Sequence, residues 1–171
     1  RAPASGCMVS SQALTTLLGY PAQVLAAVLP HLIELEDSRD VGHTAAISVD
    51  RVVAWAWNEG RLERATRLLA AGEKAPPIRV SRYWLHGEAL YSVADGMHRT
   101  VAARQAGRQR IRAVIGGEVQ CHPERYLIEL ATGRMWRAPE PGDRWLKMTS
   151  CDIAPEVAAA LVALGVRELV R

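Results

Sequence analysis

The stretch from Pro76 to Ile115 constrains this chain more than any other. Pro76-Pro77 leads into Ile78-Arg79-Val80-Ser81-Arg82-Tyr83, which alternates and reads as a strand. His86-Gly87 makes a turn, and Ala89 to Ala94 reads as the returning strand. Asp95-Gly96 is a sharp bend, Arg99 to Gln105 a helix closed by Gly107, and Ile111 to Ile115 another strand stopped by Gly116-Gly117. A strand that turns through Gly straight into a helix leaves backbone N–H groups unpaired at the positive end of a helix dipole, which suits an anion. The side chains in the bend suit phosphate. Gly96 lets backbone approach closely, and Arg99 can fork onto phosphate oxygens. His98 can donate to a phosphate or shuttle a proton, and Asp95 can hold Mg²⁺ or accept a proton. The bland alternative is a common Asp-Gly turn and a solvated helix start, and spacing alone leaves both open.

Upstream, Leu14, Leu17, Leu18, Val24, Leu25, Val28, Leu29, Leu32 and Ile33 recur at helical spacing between Ser11 and Leu35. Gly19-Tyr20-Pro21 divides that run, Pro21 opens its second piece, and Pro30 ends or kinks it. Glu34 to His43 reads as a polar loop and Thr44 to Ile47 as a short strand. Ser48 is placed to cap a helix running from Val49 through Val52, Val53 and Trp55 or Trp57, interrupted by Gly60. A second helix, Leu62 to Ala71, puts Leu62, Ala65, Leu68 and Leu69 on one face, with Gly72 its stop. Downstream, Tyr126 to Leu130 and Met135 to Ala138 form a hairpin around Thr132-Gly133. Pro139 to Gly142 is a loop, and Ala154 to Leu164 a last helix with Asp152 its cap.

The expectation is an α/β protein, a small mixed sheet flanked by helices. It has a helical N-terminal lead over 1–43, a core over 44–117, and a C-terminal hairpin and helix over 118–171 packed on that core, one domain overall. Apolar residues make up 49% and charged residues 23%, an ordinary globular balance. With no Phe, the core falls to Leu, Val, Ala, Ile and the five Trp. The net charge of +3 permits nucleic-acid contact without demanding it. Cys7, Cys121 and Cys151 are odd in number and widely spaced, with no CxxC pair of a structural zinc site. No stretch approaches the roughly 18 apolar residues of a membrane span, and the first residues carry no charged-then-apolar signal pattern. A cytoplasmic protein is expected.

The run Ala75-Pro76-Pro77-Ile78-Arg79-Val80, then Tyr91-Ser92-Val93-Ala94-Asp95-Gly96-Met97-His98-Arg99-Thr100-Val101-Ala102-Ala103, then Ala106-Gly107 and Ile111-Arg112-Ala113-Val114-Ile115, resembles the ParB/sulfiredoxin superfamily over roughly residues 44 to 117. That resemblance implies a nucleotide, ATP, bound at the DG-HR loop by Gly96, Met97, His98, Arg99 and Thr100. Met97 stands where sulfiredoxins carry their catalytic Cys, so no thiol is there for a sulfur–phosphoryl link. After Gly117 no clear helix pair resembles the DNA-reading domain of partition proteins. Two activities stay open, beside a non-enzymatic partner-binding module. One is a metabolite kinase similar to the free-serine kinases, whose DG-HHR loop has His where Met97 stands. The other is that of the short, one-domain fertility-inhibition members of the superfamily, which hydrolyse ATP, cleave DNA and block conjugative and T-DNA transfer through a secretion coupling protein. The layout of this chain resembles the second more.

On that resemblance Asp95 would hold a divalent cation, Mg²⁺. Arg99 and the backbone from Gly96 would stabilise developing charge, and His98 would position or protonate. Glu59 or Glu63 could be a general base or metal ligand, against an exposed helix charge, and Glu63 is spaced to pair with Arg67. Arg79, Arg82, Arg104, Arg108, Arg110 and Arg112 could form a basic face for the DNA backbone without sequence preference, against a solvated surface. Cys121-His122 with Glu118 and Glu124 is a weak metal pattern. His31 and His43 read as surface residues, and Trp55, Trp57 and Trp84 as core or rim packing rather than stacking platforms.

Overall fold

A computed structural model describes residues 19–170. The expected helix over residues 11–18, and Cys7, lie outside them. The described residues form a mixed α/β fold with four α-helices and two sheets. They divide into two compact units. The first holds residues up to Ile33, His86–Glu88 and Cys121 onward; the second holds Glu34–Leu85 and Ala89–Gln120. The boundaries expected at 43/44 and 117/118 fall inside strands of the second unit.

That second unit is built on a five-stranded sheet. Its strands are β1 (Ile33–Ser48), β2 (Val52–Val53), β3 (Ile78–Leu85), β4 (Glu88–Asp95) and β5 (Arg110–Cys121), in the order β1-β5-β3-β4-β2. β3 and β4 form the expected hairpin. His86 (φ 50°) and Gly87 (φ 78°) both take positive φ, as a two-residue turn of this twist requires. β3 runs parallel to β5, pairing Ile78 with Ala113 and Val80 with Ile115, and β2 runs parallel to β4. Two helices serve this sheet: α2 (Glu59–Ala70) and α3 (Met97–Gln105), which pack on each other. The core is Ile47, Val52, Ala54, Ile78, Val80, Ala113 and Ile115, with Met97 and Val101 of α3 packed against it. Arg79 and Arg112, one residue out of phase, are exposed, as strand alternation dictates.

Four expectations fail here. The loop over 34–43 is part of β1, an outer strand whose residues 35–40 are all exposed, so no apolar alternation marks it. The helix from Val49 is a single 3₁₀ turn, Val49–Arg51, followed by β2. The β-branched pair Val52-Val53 is buried and pairs with Tyr91 and Ser92 instead. Gly116-Gly117 does not stop β5. A Cβ on Gly117 would lie 3.3 Å from the Arg39 carbonyl oxygen, so glycine lets the neighbouring backbone come close, and a register shift between Val80 and Ser81 absorbs the extra residue. Gly60 is likewise no interruption, since α2 runs through it from an Asn58 cap.

In the first unit Pro21 stands at the start of α1 (Ala22–Val28), and Pro30 sits in a 3₁₀ turn, Leu29–Leu32, that ends the helical run. The second sheet is mixed, in the order β8-β7-β6-β9, from β6 (Tyr126–Glu129), β7 (Arg134–Arg137), β8 (Lys147–Ser150) and β9 (Arg167–Glu168). α4 (Pro155–Ala163) packs on α1, burying Leu25, Val28, Val157 and Leu161. Asp152 makes no cap bond to α4: Ala154 holds that position and Pro155 opens the helix.

Candidate functional site

The DG-HR turn is built as the sequence predicts. β4 ends at Asp95, Gly96 takes φ 111° at the N-cap, and α3 begins at Met97. Glycine is required there twice over: φ is in the left-handed region, and a Cβ would stand 2.4 Å from Ile78 Cγ2. The Gly96 carbonyl accepts from the Thr100 N–H at 3.0 Å and the Thr100 hydroxyl at 2.9 Å. Thr100 is fully buried. Its side chain is therefore spent inside the helix, and the expected contact from Thr100 to a nucleotide is not available to it. Met97 faces the sheet core, which leaves only its backbone for a ligand.

His98 and Arg99 are both held in place by the protein. His98 is buried. Its Nε2 accepts a hydrogen bond from the Asn58 N–H at 3.1 Å, and Trp57 meets its ring edge-to-face with centroids 4.9 Å apart. The Arg99 guanidinium donates to Asp95 Oδ2 at 2.7 Å and to the Pro76 carbonyl oxygen. Three of its five N–H donors are left over. The Asp95 side chain remains two-thirds exposed.

Arg99 opens onto a cavity of about 490 Å³. Its floor is apolar, from Ala65, Leu68 and Leu69 of α2, Ile78 of β3 and Ala103 of α3, and its rim carries Lys74, Arg99, Arg108, Arg110 and Arg112 against a single carboxylate, Glu73. The Leu62-Ala65-Leu68-Leu69 face expected from the sequence is thus only partly covered, and no residue of α2 is fully buried. The signal that could have exposed this site is the match between that apolar stripe and the arginines that alternate from Arg108 to Arg112. The chemistry of this lining suits an anion with an apolar portion.

The other candidates are placed elsewhere. Glu63 is exposed and lines a shallow groove with Glu59, Leu62, Thr66, Arg67 and Gln105, which neither Asp95 nor His98 borders. Arg82 is not a surface contact. With Arg39 and Trp84 it surrounds the buried carboxylate of Glu118, which accepts from Trp84 Nε1 at 2.9 Å and Arg82 Nε at 2.8 Å. Those bonds, Trp84's first, outweigh burial and hold the carboxyl down at about 2. Arg104 donates to the Val49 and Val52 carbonyls at 2.8 and 2.7 Å, tying the end of α3 to the β2 segment. Arg110 donates to the Ala46 carbonyl yet stays on the cavity rim, and Arg79 and Arg108 are exposed.

His31, expected on the surface, is half-buried with Nδ1 3.1 Å from Ser150 Oγ, and burial lowers its pKa. Among the described residues no group of three or more His, Cys, Asp or Glu is gathered as a metal site, and no helix is long and apolar enough to cross a membrane. No family model matches this chain, and no curated protein matches it.

Proposed function

We propose that this chain binds ATP with its phosphates on Arg99 and the Arg108–Arg112 rim and its base on the floor formed by Ala65, Leu68 and Leu69. One observation carries this reading: a cavity of nucleotide size, apolar below and cationic above, opens beside the free donors of Arg99. The sequence resemblance to the ParB/sulfiredoxin superfamily supports it independently, since there too the DG-HR turn is the phosphate side of the site. We take the reaction to be hydrolysis of a phosphoric anhydride, or of a DNA phosphodiester without sequence preference. The role is that of a plasmid fertility-inhibition factor acting on a conjugative coupling or secretion protein.

The chain's own residues have defined parts in this proposal. The Arg99 fork and the N–H groups that open α3 stabilise charge developing on the phosphoryl oxygens. The imidazole of His98, with Nε2 occupied by Asn58, has Nδ1 as its remaining nitrogen for a proton. Asp95, exposed and anionic, fits one ligand position of a magnesium ion whose other ligands are phosphate and water, and that ion would supply charge neutralisation. A carboxylate already paired with Arg99 must exchange partners to do so.

Phosphate release from ATP without a co-substrate tests the reaction, and Arg99→Ala tests the site. A hydrolase loses turnover with that change. Release that depends on an added small hydroxyl acceptor would point to the kinase instead, and unchanged binding and turnover would remove Arg99 from the mechanism.

A further inference from the structure

A large aromatic stands uncovered beside the same turn. Trp57 is 57% exposed and immediately precedes the Asn58 cap of α2. It is nonetheless held in place: the His98 ring meets it at an interplanar angle of 68°, and the Arg61 guanidinium lies over one face of the indole, 4.8 Å from its ring centroid. Arg64, one helical turn beyond Arg61, is exposed as well. An indole fixed in position, with a cation over one face and more than half of its surface left in water, is a combination that single-stranded nucleic acid uses. A base stacks on the side that Arg61 leaves open, and phosphates meet the guanidinium groups. A duplex cannot use it without unstacking, because its base faces are covered by their neighbours.

We propose that Trp57 is a stacking platform for an unpaired base of single-stranded DNA, with Arg61 and Arg64 on the flanking phosphates. Trp57 does not line the cavity assigned to ATP. Strand binding and ATP binding are therefore separate measurements, and either can fail alone.

Anisotropy of a short fluorescein-labelled oligothymidylate tests it against two controls, a blunt duplex of equal length and an abasic strand with the same backbone. The single strand binds tighter than both. Trp57→Ala weakens it about tenfold, the worth of one stacked base, leaves the duplex and abasic strand within about twofold, and Trp57→Phe restores most of the loss. Trp57→Leu, which keeps apolar bulk without a π face, behaves like Trp57→Ala and guards against a folding defect. Saturating ATP leaves the strand's affinity unchanged. No strand binding, an equal loss on all three ligands, or full displacement by ATP would each overturn the proposal.

Discussion

The backbone N–H of Asn58 donates to Nε2 of His98, so the residue that caps α2 also fixes the imidazole carried by α3. One short segment thereby sets both helix starts beside the Asp95-Gly96 turn. An accepting Nε2 leaves the ring proton on Nδ1.

The cap itself is a side-chain matter, because Asn58 Oδ1 accepts from the Arg61 N–H at 2.9 Å. Asn58→Ala costs about 1 kcal/mol and lowers the melting temperature by roughly 2–4 °C. Asn58→Asp, which keeps the acceptor, stays close to the parent. Equal losses for the two would show that the cap bond contributes nothing.

Gly96 and Gly107 both have positive φ, 111° and 73°, but only Gly96 would drive a Cβ into a neighbour. Gly107→Ala pays backbone strain of about 1 kcal/mol. Gly96→Ala adds displacement of Ile78 from the core, for a loss of roughly 3 kcal/mol or more. Chemical denaturation of the two variants compares them, and similar midpoints would contradict the close packing of Gly96 on Ile78.

Glu118 gives the acid response a defined origin. Its carboxyl is held at about 2 against an ordinary 4.5, so the folded chain resists protonation there more than the unfolded chain does. Its contribution is complete above about pH 4.5 and is lost as pH falls toward 2. Glu118→Gln leaves Arg82 half-satisfied, destabilises the protein by about 3 kcal/mol at neutral pH, and flattens the decline of melting temperature below pH 4.5. A variant with the parent's acid slope would refute this.

Cys121 is buried, and burial, aided by the Glu124 charge, pushes its thiol up to about 12, whereas Cys151 is exposed. In a Cys7→Ser background the native protein titrates one thiol with a thiol-specific disulfide reagent, and the second only on denaturation. Two fast equivalents would contradict the burial of Cys121.

The parts of the fold that were legible are those where local chemistry decides. Ile78 and Val80 alternate with Arg79, Asp95-Gly96 can turn where few pairs can, and Thr132-Gly133 closes a hairpin in which any Cβ on Gly133 would strike the Ile153 carbonyl oxygen at 2.6 Å. The parts that were not legible depend on partners distant in sequence. Arg82 reads as a surface cation until Glu118 is brought beside it, and Thr100 as a ligand until the Gly96 carbonyl claims it. Asp95, His98 and Arg99 could be named from the turn, but their locking by Pro76 and Asn58 could not. The cavity needed α2 and the start of β5 side by side.

Calorimetric titration of the full chain with ATP, with and without Mg²⁺, bears most directly on the nucleotide reading. A single saturable site is expected. It should weaken at least about tenfold in an Arg108→Ala, Arg112→Ala double variant and fade as salt rises, while Arg134→Ala, in the other unit, leaves it unchanged. Absence of saturable heat up to millimolar ATP, or equal affinity in parent and double variant, would contradict the assignment of this cavity.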